Sequence, residues 1–313
     1  MKSKSRNKAV FSLIAVVLIA LSTLSCAGDK SKNAVTVATM IDSEGALLGK
    51  MIVALLESKK IPVLDKTEFG TPDVLRRALE AGEVHLVVDY TGSGQYYHEG
   101  QDSALWSDPQ AGYAKTKELD AAKGIVWLTP APANNTEALA VRRQFAEETG
   151  IRDLPALAAY VNAGGKIKLI CAQSFADNPL GLLGLEEAYG FKLDKSQLVL
   201  LSSGNTAEML KALAEGTNDV NVSLVYGTDG SLNTLDLLVL GDPESIPPVY
   251  LPTPVILEAK LKKYPAIADL LKPVFESLEL ETLQKLNAQI AFAGRSADEV
   301  AKEYLVEKGF LTK

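Results

Sequence analysis

Apolar and polar positions along the chain change period repeatedly, and each change marks an element. Val35-Thr36-Val37-Ala38 reads as a first short strand. Over residues 45–59 the apolar side chains Leu47, Leu48, Met51, Ile52, Leu55 and Leu56 recur three and four apart, which places them on one face of a helix. Thr71-Pro72-Asp73 opens another helix, with proline early, where its missing N–H costs nothing. Strand-like runs follow at 125–128, 137–141, 166–171, 198–201, 220–226 and 235–240, with helical patterns at 154–162, 182–189 and 206–215 among them. From Ala266 the pattern is mainly helical to the end. This alternation predicts α/β lobes with largely parallel sheets.

Two of these stretches are variants of one another. Ala78-Leu79-Glu80-Ala81-Gly82 leads into a strand ending at Tyr90 and the turn Thr91-Gly92-Ser93-Gly94. Ala212-Leu213-Ala214-Glu215-Gly216 leads into a strand ending at Tyr226 and the turn Gly227-Thr228-Asp229-Gly230. In each, a helix stops at a glycine and a strand carries a tyrosine to a turn. The sequence alone leaves two readings open, ordinary α/β grammar or two related lobes with a ligand between them. Proline-rich connections at 129–132 and 243–248 suit paired crossings between lobes or stiff surface loops.

The N-terminus needs separate treatment. Lys2, Lys4, Arg6 and Lys8 precede the apolar run 9–21, and the small residues Ser25-Cys26-Ala27-Gly28 follow, so residues 1–25 read as a secretory signal peptide. Cys26, followed by the polar stretch to Asn33, resembles a lipoprotein acylation site, although Thr23 stands where such sites usually carry leucine. Ordinary cleavage after Ala27 is the alternative. The net charge of −7 argues against a nucleic-acid partner, and processing makes it −7 − 4 = −11, an acidity that favours solubility and weakly attracts cations. With Cys26 acylated, Cys171 in its apolar strand has no disulfide partner and reads as an inert buried thiol.

Recognisable catalytic chemistry is missing from the sequence. His85 sits mid-strand, and His98 has no neighbouring metal-ligand set. Gly92-Ser93-Gly94 lacks the third glycine of a dinucleotide turn, and Gly164-Gly165-Lys166 lacks phosphate-loop spacing. No cofactor, metal or enzymatic activity is expected.

From Val35 onward the chain resembles the extracytoplasmic substrate-binding proteins of glycine betaine/choline-type (osmoprotectant) ABC transporters. The resemblance rests on Gly70-Thr71, Asp89-Tyr90-Thr91-Gly92, the run 124–130, Asn134-Asn135-Thr136, the run 187–191, Tyr226-Gly227-Thr228-Asp229-Gly230, Pro247-Pro248-Val249-Tyr250 and Leu286-Asn287, in that order. It implies an α/β, two-lobed periplasmic-binding-protein fold of type II joined by two crossing segments. Lobe one is expected at 34–133 plus 249–313 and lobe two at 134–248. The implied partners are a quaternary ammonium ligand, an ABC permease with a separate ATPase and, through Cys26, the outer face of a membrane. A same-fold sensor or surface lipoprotein binding another small cation is the alternative.

Tyr90 and Tyr226 match cage positions of that family, and Asn135 and Thr136 match residues near the lobe crossing. A trimethylammonium head has no N–H donors, so aromatic faces hold it best. Three departures bear on the ligand. Gly45, within Met40-Ile41-Asp42-Ser43-Glu44-Gly45, replaces a glutamine; Glu137 replaces an aromatic residue; Asn178 and Leu180 replace an arginine and an aspartate. Loss of an arginine that would pair with betaine's carboxylate, beside acidic Asp42 and Glu137, favours choline over glycine betaine. Asp42 also suits the cap of the helix that follows it, and Glu137 a solvent-facing position. Thr71 and Asp229 complete the set of candidate ligand contacts.

Overall fold

The structure, a computed structural model, describes residues 33–98, 100–106, 108–202 and 206–312. The expected signal segment 1–25 and Cys26 lie outside the described residues. Strands β1 (Val35–Met40), β2 (Val63–Gly70), β3 (Leu86–Tyr90), β4 (Ile125–Trp127) and β10 (Pro252–Leu257) form one sheet, in the order β2-β1-β3-β10-β4. Strands β5 (Glu137–Arg142), β6 (Leu169–Ala172), β7 (Leu198–Leu201), β8 (Val222–Tyr226) and β9 (Leu237–Val239) form the other, in the order β7-β6-β8-β5-β9. The two orders share one pattern: second, first, third, a returning strand, fourth. β1 pairs parallel with β2 and β3, and β6 parallel with β7 and β8. The returning strands β10 and β5 are antiparallel to both neighbours. Each therefore departs from the largely parallel expectation, and each is the first strand after the chain crosses from one sheet to the other.

The related tyrosine stretches occupy equivalent places. β3 and β8 are the third strands of their sheets, each beside a returning strand, with Tyr90 opposite Pro252 and Tyr226 opposite Glu137. The helices before them end at Gly82 (φ +73°) and Gly216 (φ +67°), conformations glycine adopts without strain.

Apolar packing follows the same division. Buried residues between 139 and 240 form one cluster around Phe175 and Leu224. Those from 35 to 133 and from 255 to 305 form two others, centred on Leu47, Met51 and Phe275 and on Trp127 and Leu79. The helix Ser43–Ser58 is buried along most of its length because it lies between the first sheet and the C-terminal helices Ala266–Glu276, Leu280–Ala291 and Ala297–Glu307.

Two strands escaped the hydrophobic pattern. β2 is a polar edge strand, Val-Leu-Asp-Lys-Thr-Glu-Phe-Gly, whose middle residues face solvent. β10 carries Pro252 and Pro254 inside a sheet, where proline normally argues against a strand. Their carbonyls remain useful: Ala131 N donates to Pro252 O at 2.8 Å and Leu128 N to Pro254 O at 2.9 Å, fastening the first crossing segment.

Candidate ligand-binding cleft

β1, β3 and β8 all end on the side where the sheets face one another, and the turns after them line a cavity of about 950 Å³. The first sheet supplies residues 40–44, 70–73, Tyr90, Ser93, Tyr96 and Tyr97, with Asn287 and Phe292 from the C-terminal helices. The second supplies Thr206, Ala207, Tyr226 and residues 228–231, while Asn135, Glu137 and Tyr250 come from the crossings and the start of β5. The described lining includes no lysine, arginine or histidine, whereas Asp42, Glu44, Asp73, Glu137 and Asp229 are all acidic.

Glu44 is the node of this cleft. It is 6% exposed and sits in the first turn of the helix Ser43–Ser58. Tyr90 Oη donates to Glu44 Oε1 at 2.6 Å, Asn287 Nδ2 to Oε2 at 2.8 Å, and Asn135 Nδ2 reaches Oε1 at 3.4 Å. The Thr228 hydroxyl meets it from the second lobe. Burial pushes the carboxyl above its ordinary pKa, and these hydrogen bonds pull the other way. Asn287 Nδ2 also donates to Thr228 O at 3.0 Å, and Gln284 Nε2 to Gly227 O at 2.7 Å, so the C-terminal helix ties the first lobe to the turn after β8. Asn287 Oδ1 is buried and has no hydrogen-bond partner among the described residues.

Two more tyrosines are held by carboxylates. Tyr97 Oη donates to buried Asp89 at 2.9 Å, and the Arg76 guanidinium lies 4.2 Å above the Tyr97 ring. Arg76 in turn forks onto Asp120, with both N···O distances 2.7 Å, and Trp127 Nε1 and His98 Nε2 complete Asp120's partners. Tyr226 hydrogen-bonds Glu137, its cross-strand neighbour. Burial raises Glu137 to a pKa of about 7, and Tyr226 only partly opposes that shift. Tyr250 Oη accepts from Gln95 Nε2 at 2.6 Å and lies 3.3 Å from Tyr96 Oη.

Seven of the eight candidate contacts line this cavity. Tyr90, Tyr226, Asn135 and Glu137 project from the strand ends and crossings around it. Asp42 lines it as well, but its Oδ1 accepts from Gly45 N at 2.6 Å and caps the helix. Thr71 precedes the helix Pro72–Glu80 and makes no side-chain cap, and Asp229 accepts from Ser231 N at 2.9 Å. Thr136 is outside the lining: its hydroxyl donates to Pro248 O at 2.7 Å and joins the two crossings. A Cβ on Gly45 would stand 2.5 Å from Met40 O, so glycine is required by close backbone approach. The polar side chain that enters the cleft here is Glu44, one position earlier. Glu44, Tyr250, Asn287, Tyr96 and Tyr97 were not singled out by sequence reasoning. Tyr250 and Asn287 fall in motifs quoted above, and that was their one available signal.

Residues 33–307 match the model of the substrate-binding domain of ABC-type glycine betaine transport systems. The chain belongs to that family. It is a substrate-binding protein, not an enzyme, and its place is extracytoplasmic. It is 43% identical over 282 residues to the glycine betaine-binding protein YehZ of Escherichia coli strain K12, covering 90% of this chain and 92% of that one. It is 30% identical over 305 residues to a glycine-betaine-binding protein of Pseudomonas aeruginosa, covering 96% of each. Its fold matches the solved structure of apo YehZ with a TM-score of 0.78, over 89% of this chain and 99% of that chain. A glycine betaine/carnitine/choline ABC transporter structure, at 21% identity, shares the fold with a TM-score of 0.77 over 88% of this chain and 99% of that one.

Proposed function

We propose that this protein captures a small quaternary ammonium ligand in the interlobe cleft and delivers it to an ABC permease, and that it holds choline more tightly than glycine betaine. The observation that carries the ligand class is the cleft's lining: five tyrosines and five acidic residues, with no basic side chain among the described residues. Tyrosine faces attract a trimethylammonium head by about 0.5–2 kcal/mol each, so a few of them support micromolar capture after the costs of association. Both ligands carry that head. They differ at the other end, where betaine has a carboxylate and choline a hydroxyl. A carboxylate needs a donor that this lining supplies poorly. A hydroxyl can donate to the unpartnered Asn287 Oδ1.

Lobe one, 34–133 with 249–313, and lobe two, 134–248, would close about the two crossings. The cavity is far larger than either ligand, so tight capture requires that hinge motion. Cys26 would hold the protein at the membrane through a lipid. Metabolic labelling with a palmitate analogue is expected to mark the wild-type protein and not Cys26→Ser; equal labelling of both would remove the anchor from the account.

Calorimetric titration at pH 8 with choline, glycine betaine, carnitine and proline betaine tests the ligand class. Choline is expected to bind at least several-fold more tightly than glycine betaine. Absence of heat from all four ligands would sink the reading, and tighter binding of betaine would sink the choline preference.

A further inference from the structure

Glu137 is the lining acid whose surroundings leave its charge most free to change. Asp42 is committed to a helix cap, Asp229 to the turn at Ser231 and Glu44 to donors from both lobes, while Asp73 is solvent-exposed in the first turn of the helix Pro72–Glu80. Glu137 starts β5 directly opposite Tyr226, is half-buried, and has the Tyr226 hydroxyl as its side-chain partner. Resting on the quaternary ammonium reading, we propose that Glu137 is a specificity-determining residue whose protonation exchanges the cleft's preference, from choline when it is ionised to glycine betaine when it is neutral.

The chemistry follows from the two ligands. An ionised Glu137 attracts a net cation and repels the carboxylate of a zwitterion. A protonated Glu137 exerts no such attraction, and its O–H can donate to betaine's carboxylate. The group has a pKa of about 7 because burial raises it, so the exchange falls near neutral pH. A bound cation lowers that pKa and a bound carboxylate raises it. By linkage, choline affinity then rises with pH through this range while betaine affinity falls.

The groups facing Glu137 leave its titration isolated. Tyr226 on β8 and Tyr250 on the second crossing are neutral phenols raised by burial, and the Cys171 thiol on β6 is pushed up to about 12. β9, on the other side of β5, contributes Leu237-Leu238-Val239. The charged residues of the helix Arg143–Thr149 follow the far end of β5, where Arg143 pairs with Asp236. The helix Thr206–Glu215 brings Thr206 and Ala207 to the cavity, and its Lys211 pairs with Glu215.

Titration calorimetry of the purified protein with each ligand at pH 6, 7 and 8 tests this. With a midpoint near 7, the ionised fraction changes about tenfold between pH 6 and 8, so choline is expected to bind up to about tenfold more weakly at pH 6. Betaine is expected to change in the opposite sense. Glu137→Gln, which is nearly isosteric, should flatten both profiles, and heat capacity scans of the variant verify that it folds. Tyr226→Phe removes the hydrogen bond that favours the ionised form and should move the crossover to higher pH. Slopes of the same sign for the two ligands, or slopes that survive in Glu137→Gln, overturn the inference while leaving the ligand class intact. Absence of binding by both ligands at every pH overturns the quaternary ammonium reading and this inference with it.

Discussion

Tyr90→Ala is expected to weaken choline binding by about thirtyfold, whereas Tyr90→Phe should change it little. A desolvated ring face contributes about 2 kcal/mol to holding a quaternary ammonium ion, and that energy corresponds to roughly thirtyfold in Kd. Both variants remove the hydroxyl that donates to Glu44 at 2.6 Å. A buried carboxylate deprived of one donor costs the fold about 1–3 kcal/mol, so both should also melt earlier than wild type. Calorimetric binding and heat capacity scans separate the two effects. Unchanged affinity in Tyr90→Ala would remove this ring from the cage. A large loss in Tyr90→Phe would show that the hydroxyl, not the ring, carries the binding.

The second large effect concerns Arg76. It is 6% exposed, and its partner Asp120 is fully buried. Arg76→Met leaves the Asp120 carboxylate with the donors Trp127 and His98 but without its balancing charge. Breaking one side of a buried pair costs about 3–5 kcal/mol, and a melting temperature lower by roughly 10 °C is expected. Adding Asp120→Leu should recover much of the loss, because the penalty belongs to the stranded charge. The lesion should reach the cleft too, since the guanidinium covers the Tyr97 ring that lines it. An unchanged melting temperature in Arg76→Met would show that the pair contributes little net stability.

The sequence made the architecture legible where periodicity and burial coincide. The helix Ser43–Ser58 has its apolar residues at helical spacing because it lies between a sheet and three helices. The two helix-glycine-strand units were visible as a repeat, and the sheets explain why: β3 and β8 hold the same rank and deliver Tyr90 and Tyr226 to one cavity. β2 stayed hidden because an edge strand facing solvent needs no apolar alternation. β10 stayed hidden because its prolines serve through their carbonyls, which a proline in a sequence does not advertise. Of the lining side chains, Tyr90, Tyr226, Asp42, Glu137 and Asp229 were legible in the sequence, whereas Tyr96, Tyr97, Tyr250 and Glu44 were not. Glu44 looks in sequence like an ordinary acidic residue in a helix's first turn, where the dipole favours it. Its burial depends on Tyr90, Asn135 and Asn287, which lie 46, 91 and 243 residues away. No local pattern records so distant a convergence. Thr136 lies on the chain between Asn135 and Glu137, but its hydroxyl turns to Pro248 O and joins the crossings instead of entering the cavity.

The most direct measurement is a crystal structure of the protein grown with choline at pH 8. The account requires the trimethylammonium group between the two lobes, with the ring centroids of Tyr90 and Tyr226 both within about 6 Å of the nitrogen. Choline seated away from both rings, or contacts confined to one lobe with the cleft left open, would contradict it.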